Sequence, residues 1–188
     1  ALNLQPIGLI WIDAHMDSHT PQTSPSGALH GMPLACLLGH GLPALTALGG
    51  PPPQLLPQHV CLIGVRSFEA GEAALLAQLQ VRVFTMDEIH RRGIDAVIGD
   101  ALPIVLQGTA GFGVSIDLDA LDPREEPGVG SPVADGLPGK ELLSGLKRLR
   151  RHPALRALEL MEYNPHRDRN QRTANMALDL AECLLGSN

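Results

Sequence analysis

No lysine or arginine occurs in this 188-residue chain before Arg66. A secretory leader starts with positive charge, so none is expected here. Cysteine is scarce too: Cys36, Cys61 and Cys183 form an odd set without CxxC spacing. That argues against a disulfide framework and for three reduced thiols in a cytoplasmic setting. Long hydrophobic runs are also missing. The uncharged stretch Gly41–Gln58 is broken by five prolines and three glycines, and Ala101–Ile116 is short and carries Pro103 and glycines. No membrane span is expected. Positive charge is in deficit, with a formal net charge of -6. That argues against a partner held through nucleic-acid phosphates.

What the chain does have is a globular balance, 44% hydrophobic and 18% charged, on a length that suits one core. Five short apolar runs read as strands: Ile7–Asp13, Val60–Arg66, Val81–Thr85, Phe112–Leu118 and Leu155–Met161. Most are nearly continuous, as expected of strands covered by helices on both faces. Helical periodicity marks Glu69–Gln80, Gly139–Arg151 and Arg172–Leu185, and a short helix is expected over Met32–Gly39. Alternation of this kind predicts an α/β fold with a parallel sheet, as a single domain over residues 1–188. Gly41–Gln58 reads as a surface loop. In open parallel sheets, sites form at the carboxyl ends of strands.

Polar residues appear where the apolar runs end. Only two carboxylates precede Arg66, and both lie in Asp13-Ala14-His15-Met16-Asp17. A second acidic knot, Asp117-Leu118-Asp119-Ala120-Leu121-Asp122-Pro123, follows the fourth strand run. Residues i and i+2 of a strand share a face, which directs Asp13 with His15, and Asp117 with Asp119 and Ser115, to one side. Carboxylates and imidazole without thiolates favour Mn²⁺, Mg²⁺ or a similar ion, and four carboxylates suit a pair of ions. Without cations they would repel one another and shift toward protonation. Each motif alone also suits turn or helix-cap chemistry. Together, at two strand ends, they point to a metal centre.

With these pieces in place the chain resembles the arginase/agmatinase (ureohydrolase) family, closest to bacterial-type arginases. The resemblance rests on DAHMD at Asp13–Asp17, SGALHG at Ser26–Gly31, SIDLDALDP at Ser115–Pro123 and MEYNP at Met161–Pro165, in the family's order. It implies a three-layer α/β/α fold and a binuclear Mn²⁺ cluster that hydrolyses a guanidino group, L-arginine to L-ornithine and urea, through a metal-bridging hydroxide. By the same resemblance Asp13 and Asp117 bridge the ions, Asp17 completes one shell, and His15 and Asp119 complete the other. Asp17 also guides the hydroxide's proton, His30 takes the proton-shuttle position, and Glu162 binds the guanidinium. His19, Ser24 and Ser26 fall where arginases grip the α-carboxylate, and Glu69 where an acid holds the α-amino group. A homo-oligomer, trimer or hexamer, is implied.

His19 and Ala28 stand where the animal-type pattern has asparagines, which keeps agmatine or a guanidino acid open as the substrate. A non-catalytic metal-binding relative is the reading from another class. The alternative for His30 is the start of the Met32–Gly39 helix and for Glu162 an ordinary strand-end acid, with the functional reading favoured for both. Glu69 suits a helix N-terminus as well as it suits the substrate. The family's GGDHS-like ligand segment, expected upstream of DAHMD, does not occur in the sequence given. The chain therefore reads as the C-terminal part of a longer domain.

Overall fold

The computed structural model describes residues 5–186; the ends of the expected 1–188 domain lie outside the described residues. Five strands form one sheet: β1 (Gly8–Ile12), β2 (Val60–Val65), β3 (Arg82–Thr85), β4 (Phe112–Asp117) and β5 (Leu155–Met161). Their spatial order is β3-β2-β1-β4-β5, and every pairing is parallel. All five expected runs are strands, shorter by one residue at five of their ten ends. β2 and β4 are buried at every position, which is why they read as unbroken apolar runs.

Among the described residues seven helices complete the layers: α1 (Pro33–Leu37), α2 (Pro43–Thr46), α3 (Ala70–Gln78), α4 (Met86–Arg92), α5 (Ile94–Leu106), α6 (Gly139–Leu146) and α7 (Arg172–Leu185). Successive strand residues face opposite layers. Ile10 and Ile12 join the cluster with α4, α5, α6 and α7, while Trp11 packs with Leu34 of α1, Leu38 just after it and Leu76 of α3. Each fully buried Ile or Leu contributes about 1.5–3 kcal/mol. The three-layer α/β/α expectation therefore holds.

Two expectations need correction. α4 and α5 were not among the expected helices. Gly99 and Pro103 count against a helix interior, yet burial of Val97, Ile98, Ala101 and Val105 against the sheet outweighs that propensity. Gly8 makes the approach possible, because a Cβ there would lie 2.2 Å from the Val105 carbonyl oxygen. The Gly41–Gln58 stretch is not plain loop: it carries α2 and a 3-10 turn at Pro57–His59.

From β1 the chain moves outward through β2 to β3, then returns to place β4 and β5 on the other side. The order reverses between β1 and β4, and such a switch point opens a crevice at the strands' carboxyl ends. Ile12 pairs with Ile116 in register, so Asp13 and Asp117 emerge there side by side.

Candidate metal centre

Asp13, His15 and Asp119 bring one ligand atom each within 4.8 Å of one another. His15 Nδ1 lies 3.1 Å from Asp119 Oδ2 and 3.4 Å from Asp13 Oδ1. The expected reason was strand alternation, and the structure corrects it. Asp13 and His15 lie beyond β1, and Asp119 sits in a 3-10 turn at Leu118–Ala120. Asp13 Oδ1 accepts from the His15 amide at 2.7 Å, and Asp117 Oδ1 from the Asp119 amide at 2.8 Å. Each first aspartate thus folds the turn that carries the second ligand. The turn-forming reading and the ligand reading describe the same residues.

The two turns are also tied to each other. The Ala14 amide donates to Asp119 Oδ1 at 3.3 Å, and the Trp11 indole donates to Asp13 Oδ2 at 2.9 Å. Asp13 and Asp119 are almost wholly buried. A carboxylate oxygen has two lone pairs, so these bonds leave acceptor capacity facing the crevice.

The electrostatics follow from this burial and crowding. Burial, with Asp119 and Asp13 beside it, pushes the Asp117 carboxyl up to about 9. Burial and the Asp13 charge push Asp17 up to about 8. Burial also raises Asp13. Hydrogen bonds to Asp119 and Asp13 hold His15 up to about 10. Burial is the larger cause, the repulsion of clustered carboxylates adds to it, and the His15 imidazole offsets part of the rise at Asp13 and Asp17. A hard oxygen-rich donor set with one nitrogen fits a divalent ion such as Mn²⁺.

A cavity of about 900 Å³ opens over His15 and Asp119 and is also lined by Asp17, Asp117, His30, Glu159 and Glu162. Asp17 and Asp117 line it outside the tightest ligand set. Asp17 has a φ of 47°, and its carbonyl accepts from the Leu34 and Ala35 amides at the start of α1. That anchor turns its side chain toward the crevice. His30 belongs to a 3-10 turn at Leu29–Gly31 and not to α1, so the helix-start reading of it falls. Glu162 follows β5 directly, with a φ of 62°.

The remaining expected contacts lie on the same wall. Ser24 Oγ accepts from the Gly27 amide at 3.0 Å, and Ser26 Oγ from the Ala28 amide at 3.2 Å. Both hydroxyl hydrogens remain available to an anion. His19 Nε2 lies 3.0 Å from Glu69 Oε2 and 3.4 Å from Glu72 Oε2, and its Nδ1 lies 3.1 Å from Thr23 Oγ1. The His19 bond holds the Glu69 carboxyl below its usual range, whereas burial raises Glu72. Glu69 also caps α3 in a reciprocal box with Glu72, so its helix-terminal role is real.

Several cavity residues escaped the sequence reading. Glu72 sits at the capping-box spacing from Glu69, a signal that was there to use. Glu159 interrupts the apolar β5 run and accepts from Ser115 Oγ at 2.6 Å, its register partner on β4. Ser131 gave no local signal. Asp122 keeps to turn chemistry, accepting from the Arg124 amide at 2.9 Å.

Comparison with known proteins places this geometry in context. The arginase of Bacillus caldovelox is 41% identical over 186 residues, covering 99% of this chain and 62% of that protein. Its crystal structure superimposes with a TM-score of 0.93 at 42% identity, over 97% of this chain and 61% of that one. The arginase of Brevibacillus brevis is 40% identical, with the same coverage of 99% and 62%. A structure of Entamoeba histolytica arginase in complex with L-ornithine matches with a TM-score of 0.89 at 31% identity, over 100% of this chain and 62% of that one. This chain thus spans about three fifths of the length of these relatives. A family model described as the arginase family matches residues 1–186, and on that match and these identities the chain belongs to the arginase family.

Proposed function

We propose that this chain carries the catalytic half of a Mn²⁺-dependent ureohydrolase that converts L-arginine to L-ornithine and urea. The observation that carries the reading is the convergence of Asp13, His15 and Asp119 ligand atoms at a switch-point crevice shared with Glu162. Asp13 and Asp117 would help hold both ions, Asp17 one of them, and His15 and Asp119 the other. The ions supply Lewis acidity and a water activated at neutral pH.

The chain's own residues do the rest. Glu162 faces a planar guanidinium, to which a carboxylate offers paired, charge-assisted hydrogen bonds. Asp17 accepts the proton of the attacking water, and His30, at the exposed side of the cavity, delivers a proton to the departing amine. Ser24 and Ser26 donate to the α-carboxylate, and Glu69, with His19 beside it, faces the α-amino group. Residues 1–188 form the C-terminal portion of one ureohydrolase domain, which acts in the cytoplasm within a homo-oligomer of three or six chains. The free thiols of Cys36, Cys61 and Cys183 suit such a reducing compartment. Among the described residues no helix is long and apolar enough to cross a membrane.

Urea release from L-arginine, agmatine and 4-guanidinobutyrate in the presence of Mn²⁺ tests the proposal. Preference for arginine supports it. Preference for agmatine favours the second reading, for which the engagement of Glu69 by His19 is the structural argument. Mn²⁺ binding without urea release from any of them would leave a non-catalytic relative.

A further inference from the structure

Arg66, the first residue after β2, lies beside the metal centre and takes no part in the chemistry above. Its guanidinium points into the loops and, among the described residues, meets no carboxylate at hydrogen-bond distance. Nη2 donates to the carbonyls of Asp119 at 2.9 Å, Val133 at 2.9 Å and Leu121 at 3.4 Å. Nη1 donates to Ala120 at 3.2 Å and Gly64 at 3.3 Å, and Nε to Ala134 at 2.9 Å. All of its donor directions are thereby used on main-chain oxygens.

The backbone of the same residue reaches the other ligand turn. The Arg66 and Ser67 amides both donate to the Ala14 carbonyl, at 2.9 and 3.0 Å. Ala14 stands between Asp13 and His15. One residue therefore grips the Asp13–His15 turn through its main chain and the Asp119 turn through its side chain. The spacing of those turns is the spacing of the ligand atoms.

Charge adds to this. Burial opposes the cation, while Asp119, Asp122, Asp13 and Asp135 favour it. Arg66 thus places a fixed positive charge behind the carboxylates without occupying their lone pairs. The clamp also explains Gly136, where a Cβ would lie 2.5 Å from the Leu121 carbonyl oxygen and 2.6 Å from Arg66 Nη2.

We infer that Arg66 is a positioning residue of the metal centre, setting the separation of the Asp13–His15 and Asp119 turns so that they close on a divalent ion. This rests on the metal-binding part of the proposed function and does not need the hydrolytic part. Lysine cannot replace it, since an ammonium offers three donors from one atom and cannot span these carbonyls.

The test is Mn²⁺ titration of the 188-residue chain, followed by the electron paramagnetic resonance of free Mn²⁺, for wild type, Arg66→Lys, Arg66→Met and Gly136→Ala. Circular dichroism at the titration temperature checks that each is folded. Because losing an outer partner typically weakens metal binding about 10–100-fold, the Arg66 variants should show a loss of that order, and Gly136→Ala a smaller one. Wild-type Mn²⁺ affinity in folded Arg66→Lys or Arg66→Met overturns the inference, whatever their melting temperatures. Should Arg66→Met fail to fold, Arg66→Lys and Gly136→Ala decide it by the same criterion. A wild-type chain that binds no Mn²⁺ overturns the metal centre and the clamp together. One that binds Mn²⁺ but releases no urea overturns the hydrolase reading alone, and the variant titrations still decide the clamp.

Discussion

The Trp11 indole nitrogen donates to Asp13 Oδ2 at 2.9 Å, so the chain's one tryptophan is wired to a ligand of the candidate metal centre. The bond spans two positions at the end of β1, and both residues are buried. Two consequences follow from that contact. Mn²⁺ is paramagnetic, and its binding should quench Trp11 fluorescence in a saturable way that EDTA reverses. Trp11→Phe keeps the ring but orphans a buried carboxylate oxygen, at a cost of about 1–3 kcal/mol. Its Mn²⁺ half-saturation, read from the electron paramagnetic resonance of free Mn²⁺ because the variant has no tryptophan, should rise about 10–100-fold. Fluorescence that is indifferent to Mn²⁺ would mean the ion binds elsewhere.

Asp119 makes the sharpest single substitution. It supplies Oδ2 to His15 and Oδ1 to the Ala14 amide, and its own amide is capped by Asp117. Asp119→Ala removes a ligand and cuts the link between the two turns. Urea release should fall below detection, while circular dichroism shows the sheet retained. Wild-type turnover in this variant is incompatible with a metal centre at this place.

The same residues show how far the sequence carries. β1, β2 and β4 were legible because strands covered on both faces become continuous apolar runs, and α7 because its amphipathic period has no interruption. α5 was hidden by Gly99 and Pro103, whose local cost only tertiary burial offsets. Asp13, His15 and Asp119 were legible from their spacing, although side-chain-capped turns, and not strand faces, bring them together. Arg66 was not legible, for a physical reason. Its partners are carbonyl oxygens, which every residue owns, so no pairing of residue types marks the clamp.

Ser26 offers a test of the substrate's tail. Its Oγ accepts from the Ala28 amide at 3.2 Å, which leaves the hydroxyl hydrogen free to meet a carboxylate. A hydrogen bond to a charged group contributes about 1.5–3 kcal/mol, so Ser26→Ala should raise KM for arginine roughly tenfold or more. Agmatine has no carboxylate, and its KM should barely move. Steady-state kinetics with both substrates reads the difference. Equal effects on the two would indicate a loop distortion in place of a lost contact.

The pH dependence of stability separates the metal-free from the loaded protein. Asp117 and Asp17 are pushed from 3.8 up to about 9 and about 8. Over that interval the folded chain holds protons that the unfolded chain has released, so rising pH favours unfolding. His15, held up to about 10 from 6.5, contributes stability that is complete below 6.5 and lost as pH climbs through 10. The signs agree. In EDTA the melting temperature should therefore fall steadily between about pH 5 and about pH 9. Mn²⁺ needs deprotonated carboxylates, so its binding tightens over the same range, and the stabilisation it confers should grow as the metal-free protein weakens. Glu126, buried away from the ligands and pushed up to about 7, has the same sign and no metal to relieve it. A shallow decline near neutral pH should consequently survive Mn²⁺ saturation and disappear in Glu126→Gln. Thermal melts across pH with EDTA and with Mn²⁺ measure both slopes. A metal-free chain that grows more stable with rising pH is inconsistent with crowded, buried carboxylates at the crevice.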